Sequence, residues 1–276
     1  MSFDYHPAAS VEEASTLLGR YGEDAHLIAG GTSFVLLWKQ GLLRPGHVVG
    51  LRGIAALRGI RAVGGGIEIG ALATHGEAER SPLVRAYHAA LADTFAKVAT
   101  VRVRNQGTVG GNLAHADPAQ DPPPMLLALG ATVVAARGAA RREIPLDDLF
   151  VDYLQTSLAP DEILVSVRLP ALPVGTRAAY LKFLPRTADD YATVSVAVVR
   201  TPTDVRVALG GVGPTPLRAR RVEDALRGAP WTRERLREAA ALVRDEVDPL
   251  DDARGSATYK REMARVWTER ALAAVA

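Results

Sequence analysis

The chain has 276 residues, of which 48% are hydrophobic and 23% charged, with a net charge of +2. That balance describes a globular protein of one large or two medium domains, and so small a charge argues against a nucleic-acid binder held by a basic field. Cysteine is absent, which excludes disulfides, thiolate metal sites, cysteine nucleophiles and any iron–sulfur cluster held by this chain. Redox work, if any, needs an organic cofactor.

Ser10 to Gly19 is predicted as a helix, with Ser10 as cap, Glu12 and Glu13 in the first turn and Gly19 at the end. Ala25 to Ala29 reads as a strand running into a tight turn at Gly30-Gly31. Ser33 to Gln40 follows as a short amphipathic helix stopped by Gly41, and Val48 to Leu51 as another strand. Ile60 to Ala71, with glycines at 64, 65 and 66, reads as a hairpin. A helix from His75 ends before Ser81-Pro82. Leu83, Tyr87, Leu91 and Phe95 then mark one face of a longer helix from Leu83 to Ala99. Thr100 to Gly107 and Thr108 to Asp121 read as loops, and Pro122-Pro123-Pro124 opens an apolar helix, Met125 to Leu129.

Thr132 to Ala136 and Glu162 to Leu169 are predicted strands, and Pro170 to Gly175 is the best linker candidate. Ala178 to Pro185, Ala192 to Val199 and Val205 to Val212 have strand length and short connections, so antiparallel pairing is expected. Helices follow at Ala219 to Arg227, Arg233 to Val247 and Ala257 to Ala274. The first part mixes short strands and helices without the regular alternation of a doubly wound sheet. The fold class expected is therefore α+β.

Two segments carry the chemistry. Ala29-Gly30-Gly31-Thr32-Ser33 places bare backbone between a strand and a helix start, a nest that suits a phosphate; the plainer reading is a tight turn with Ser33 as helix cap. Thr108-Val109-Gly110-Gly111-Asn112 is a second such pair. Two nests would grip a diphosphate from two sides, with Asp121 accepting from a ribose. The plainer reading has Asp117 and Asp121 capping turns beside the prolines. His26, His75 and His115 do not share metal-ligand spacing, so structural or surface roles are expected. Asp189-Asp190 reads as a solvated turn, and no nucleophile elbow occurs.

Taken together, these segments resemble the FAD-binding medium subunits of the molybdenum hydroxylases, the family of xanthine dehydrogenase and carbon monoxide dehydrogenase. The resemblance rests on AGGTS at Ala29 to Ser33, TVGGNLAHADPAQDPPPMLLALGA from Thr108 to Ala131, LGGVGPTP from Leu209, DDARGSA from Asp251, and the C-terminal helix from Tyr259. It implies a two-part FAD-binding domain of the vanillyl-alcohol-oxidase type over residues 1–175, split near 55–60. A small C-terminal domain of antiparallel sheet plus helices, like that of carbon monoxide dehydrogenase flavoprotein, would fill 176–276.

The same resemblance implies site roles. Leu27, Ile28, Ala29, Gly30, Gly31, Thr32, Ser33 and Phe34, with Thr108, Val109, Gly110, Gly111 and Asn112, would hold the FAD, chiefly its diphosphate. Val98, Asp117, Asp121 and Leu164 would complete the cofactor site. Lys182 would lie near the isoalloxazine, and Tyr191 over the flavin, gating the acceptor. Gly110 and Gly111 are both expected to face the diphosphate. A molybdenum–pterin large subunit and a small subunit with [2Fe–2S] clusters are the implied partners, in a dimer of heterotrimers that passes electrons through FAD to NAD, a quinone, a cytochrome or oxygen.

Three departures from the family pattern bear on the acceptor: Thr32 where relatives often carry His or Gln, Pro185 in place of a basic residue so that only Arg186 remains, and an additional acid before Tyr191. A stand-alone FAD-dependent oxidase or dehydrogenase of a small alcohol is the alternative function, and an interaction protein without flavin a third. The N-terminus shows no signal-peptide pattern and apolar stretches fall short of a span, so a soluble, cytoplasmic protein is expected.

Overall fold

A computed structural model describes residues 2–276 apart from 186 and 188. Arg186, the basic residue left in the family pattern, lies outside the described residues. Over the first fifty residues strands and helices alternate: β1 (Asp4–Pro7), α1 (Val11–Tyr21), β2 (Ala25–Ile28), α2 (Thr32–Lys39) and β3 (His47–Gly50). The three strands form a parallel sheet in the order β1-β3-β2, with the helices as crossovers. This local alternation differs from the irregular mixture expected there; strands of four residues are too short to display a period. Ser10 caps α1 by accepting from the Glu13 N–H at 3.1 Å. The helix runs past Gly19 and ends at Gly22, whose φ of +56° needs glycine.

The middle of the chain builds a five-stranded antiparallel sheet. It begins with the expected hairpin, β4 (Ile60–Val63) and β5 (Gly66–Gly70). Helices α3 (His75–Arg80), α4 (Pro82–Tyr87), α5 (Ala89–Phe95), α6 (Val101–Arg104), α7 (Val109–His115) and α8 (Pro122–Leu129) follow. The single helix predicted from Leu83 to Ala99 is two, because His88 leaves helical geometry at φ −146°, ψ 68°. Leu91 and Phe95 are nevertheless fully buried on the expected face.

α6 and α7 replace two predicted loops. Thr100 and Thr108 each accept from the N–H three residues on, which starts a helix too short to show an amphipathic period. Every residue of α8 is buried, as an all-apolar helix requires. Strands β6 (Thr132–Arg137), β7 (Ala140–Pro145), the small hairpin β8 (Phe150–Asp152) and β9 (Gln155–Thr156), and β10 (Ile163–Leu169) come next. The sheet order is β4-β5-β10-β6-β7. β7 is an exposed, charged edge strand without alternation, which hides it from a sequence reading.

The C-terminal region is a four-stranded antiparallel sheet of β11 (Arg177–Phe183), β12 (Val194–Arg200), β13 (Val205–Gly210) and β14 (Leu217–Arg218), followed by α9 (Arg220–Leu226), α10 (Arg233–Ala241) and α11 (Ala257–Ala274). The pairing is antiparallel, as expected. Along β12, Val194, Val196 and Val198 face a core shared with α9, α10 and α11. Ala197 and Val199 face the larger core of α5, α8 and the five-stranded sheet. The C-terminal sheet is therefore buried on both faces and locked to the middle region. Strands and helices are segregated in the larger part of the chain, an α+β architecture.

Candidate functional site

The two glycine segments, some 80 positions apart in the sequence, touch. Gly30 lies against the backbone of Gln106 and Gly107, and a Cβ there would overlap the Gln106 carbonyl oxygen. Gly111 opens toward Ala29, whose Cβ lies 3.9 Å from where a Gly111 Cβ would be. The glycines serve different ends. Gly31 adopts φ +77° as the cap residue of α2, a conformation that a side chain would strain. Gly110 fits because the Ala71 Cα would stand 2.9 Å from its Cβ. Gly110 thus packs on the protein itself. That corrects the expectation that both glycines of the second pair face a ligand, since only Gly111 is exposed.

The amides differ as well. α2 begins without any side-chain cap, and the N–H groups of Thr32, Ser33 and Phe34 have no acceptor among the described residues. In α7 the N–H groups are already committed. Val109 donates to Ala73 at 2.9 Å, Gly110 to Ala71 at 2.9 Å, Gly111 to the Thr108 hydroxyl at 3.1 Å and Asn112 to Thr108 at 2.9 Å. The first segment therefore offers a bare helix N-terminus, with its positive dipole end, whereas the second has satisfied its own. What the second segment adds is a side chain: Asn112 Oδ1 is buried and has no partner among the described residues. Leu27, Ile28 and Phe34 beside the turn are only half-buried although apolar. Bare amides, an orphaned carboxamide oxygen and an apolar rim fit a ligand that carries both phosphate and an aromatic body.

A second group of polar side chains lies where the α7–α8 connection meets β11. Asp121, buried at the start of α8, accepts from the Tyr180 hydroxyl at 2.6 Å and from Lys182 Nζ at 2.9 Å. Lys182 also donates to the Lys97 carbonyl at 3.0 Å, and Lys97 Nζ returns a bond to the Tyr180 carbonyl at 2.8 Å. Burial pushes the Asp121 carboxyl up, opposed chiefly by the Lys182 charge, and pushes the Tyr180 hydroxyl well above its ordinary value. Burial likewise lowers the Lys97 ammonium. Asp117 holds a local turn by accepting from the Ala119 N–H at 2.9 Å.

Tyr191 is partly exposed in the β11–β12 connection, with the Arg254 guanidinium 5.5 Å from its ring centre. Burial and then the Asp117 charge raise its hydroxyl, so its phenol shares the field of the Asp117–Asp121 turn. Val98 is buried just before Ala99, where Arg104 ties both carbonyls at 3.0 and 2.8 Å. Leu164 is a core residue of β10, next to a bulge in its pairing with β6. Among the described residues no group of three His, Asp or Glu is placed to hold a metal ion, and no helix is long and apolar enough to cross a membrane.

Comparison with known proteins decides the family. Residues 1–172 match the family described as FAD binding domain in molybdopterin dehydrogenase, and residues 179–275 match the CO dehydrogenase flavoprotein C-terminal domain. The chain belongs to the FAD-binding medium subunits of the molybdenum hydroxylases. It is 38% identical over 275 residues to the carbon monoxide dehydrogenase medium chain of Hydrogenophaga pseudoflava, covering 98% of this chain and 96% of that one. The nicotine 6-hydroxylase medium subunit of Paenarthrobacter nicotinovorans is 34% identical, covering 97% and 95%. The solved Hydrogenophaga pseudoflava carbon monoxide dehydrogenase, in a form lacking the Mo-pyranopterin moiety, superposes with a TM-score of 0.96 at 39% identity over 100% of this chain and 97% of that chain.

As a medium subunit, the chain is an oxidoreductase component that carries an FAD-binding domain and works with other subunits. Within that family frame, Tyr180, Lys97 and Arg254 are site neighbours that the sequence reading missed. Tyr180 was legible in principle, since it alternates with Lys182 on β11 and must share its face. Lys97 comes from a distant connection and left no local signal, and Arg254, though within the DDARGSA segment, gave no sign that it meets Tyr191.

Proposed function

We propose that this subunit takes electrons from [2Fe–2S] clusters of a small partner subunit, through FAD, to an external acceptor. The assembly would include a molybdenum-binding large subunit and form a dimer of heterotrimers. The observation that supports this reading most is the contact of Gly30 with Gln106 and Gly107 beside the bare amides of Thr32, Ser33 and Phe34. It joins the two segments a dinucleotide would have to bridge. FAD, when bound, supplies the exchange between one-electron and two-electron steps that such a junction requires.

The chain's own part is binding and electrostatics. Gly31 turns the backbone so that the α2 amides converge on one point, where they would donate to phosphate oxygens. Thr108 secures α7, so that Gly111 admits the ligand and the Asn112 carboxamide meets it. Leu27, Ile28, Phe34, Val98 and Leu164 would form its apolar walls, and Asp117 and Asp121 would line the polar side. Lys182 would bring a positive charge to the flavin, favouring the negative charge that reduction adds, and Tyr191 would cover it.

The test uses the purified complex, pre-reduced with dithionite, with and without its flavin. With FAD bound, mixing with candidate acceptors is expected to reoxidise the iron–sulfur clusters rapidly. The flavin-depleted complex should hold its clusters reduced until FAD is added back. Equally fast reoxidation without flavin would contradict the relay. Oxidation of small alcohols by the isolated flavin-loaded chain would favour a stand-alone oxidase instead.

A further inference from the structure

The buried ionic group behind α8 joins the two family-defined regions. Lys97 and Asp121 come from the FAD-binding region, Tyr180 and Lys182 from the C-terminal one. The two lysines bond in opposite directions across the junction: Lys182 Nζ bonds the Lys97 carbonyl while Lys97 Nζ bonds the Tyr180 carbonyl. The Lys97 ammonium also lies 5.2 Å from the Tyr180 ring centre. Asp121 uses one oxygen for Tyr180 and the other for Lys182.

An ammonium has three N–H donors. Lys182 commits two of them, to Asp121 and to the Lys97 carbonyl, which leaves one. The side chains of Lys182 and Asp121 are only 4% and 5% exposed, so the remaining donor has few partners in bulk water, and a buried donor left unpaired is costly. Tyr180 decides where that donor points. With its hydroxyl on Asp121 Oδ1, the carboxylate needs Lys182 only at Oδ2. Without it, both oxygens would draw on the one ammonium, and its third N–H would turn to the carboxylate.

We propose that Tyr180 is a positioning residue that, through Asp121, holds the Lys182 ammonium with its third N–H free for the cofactor. This rests on the reading above that the site binds FAD. Tyr180 touches neither cofactor nor acceptor; its effect is felt through Lys182. Lys97 supports the arrangement from the other region by fixing β11 at Tyr180 and Lys182.

The experiment measures the flavin content and the flavin midpoint potential, at pH 8, of the full complex carrying Tyr180→Phe, Lys182→Met, or both. Tyr180→Phe is expected to keep its FAD and to have a potential below wild type, because the ammonium, drawn onto both Asp121 oxygens, no longer directs its third N–H to the flavin. Lys182→Met should lower it further, and the double variant should match Lys182→Met alone, since the hydroxyl acts only through the ammonium. A Tyr180→Phe potential equal to wild type, or a shift that persists undiminished in the double variant, overturns the assignment.

If Tyr180→Phe does not fold, Asp121→Asn carries the test. It removes the charge that compensates Lys182, so the potential must rise; an unchanged value overturns the assignment. A wild-type complex without FAD would instead overturn the site reading itself.

Discussion

Replacing Gly30 with Ala probes the contact between the two segments. The new Cβ would overlap the Gln106 carbonyl oxygen and lie 2.8 Å from the Gln106 carbonyl carbon and 3.1 Å from the Gly107 Cα. Unstrained carbon atoms stand about 3.5–4.0 Å apart. All three neighbours are backbone, and that backbone is pinned. Gly107 donates to Val103 at 2.7 Å, His75 to Gly107 at 3.0 Å and Val109 to Ala73 at 2.9 Å. The segments must therefore separate. Overpacking of this kind costs about 1–3 kcal/mol, more than the few tenths to about 1 kcal/mol that a Gly-to-Ala change returns through the unfolded chain. At about 2–4 °C per kcal/mol for a chain near this size, the melting temperature should drop by roughly 2–12 °C, less the small gain from the unfolded chain. FAD affinity should fall at least about tenfold, the equivalent of 1.4 kcal/mol. Differential scanning calorimetry and flavin titration read the two effects. Gly19→Ala, where nothing lies within 4 Å, is the control and should melt no lower than wild type. A Gly30→Ala chain that melts with wild type and binds FAD normally would refute the proposed contact.

Other substitutions separate folding from binding. Gly111→Val should disturb folding less than Gly110→Val, because Gly111 is exposed and only the end of one side chain, the Thr108 hydroxyl at 2.8 Å, must give way, yet cost at least about tenfold in FAD affinity. Gly110→Val should lower stability first, by about 1–3 kcal/mol or more, because Ala71 occupies the space; circular dichroism melts on flavin-free chains distinguish the two. Asp121→Leu leaves Lys182 buried and uncompensated and should cost about 3–5 kcal/mol, whereas Asp121→Leu with Lys182→Met should recover a large part of it in denaturant titrations. Burial, with the Arg104 charge adding to it, holds His75 at about 4 instead of 6.5. The unfolded chain then binds more protons between those values, so stability is full above pH 6.5 and falls as the pH drops toward 4, by up to about 3 kcal/mol. His75→Gln should flatten that part of the profile of melting temperature against pH; an unaltered slope would contradict it.

Much of the fold was legible because its elements carry their own signals. Ser10 marks the start of α1, although the helix ends at Gly22 and not at Gly19, the three glycines at 64–66 mark the hairpin, and β11, β12 and β13 appear as apolar runs joined by short connections. What stayed hidden was set by tertiary contact. Thr108 starts a helix only because Ala71 and Ala73 accept the amides of Gly110 and Val109, and Gly-Gly in isolation reads as a loop. His88 divides a helix whose apolar face continues without a break. The candidate site follows the same division. AGGTS and TVGGN are visible as segments, but their unequal roles, one with bare amides and one with its amides spent, depend on who accepts each N–H. Likewise, Asp121 and Lys182 were legible as single residues, and the Tyr180 and Lys97 contacts that hold them were not.

Backbone hydrogen exchange across residues 29–36 tests the diphosphate grip without reference to turnover. In the flavin-free chain the amides of Thr32, Ser33 and Phe34 are expected to exchange at nearly unprotected rates. Saturating FAD should slow them at least about tenfold, in line with one hydrogen bond worth of free energy, while riboflavin, which has the ring and no phosphate, should leave them fast. Protection of these amides in the absence of ligand, or equal rates with FAD and with no ligand, would contradict it.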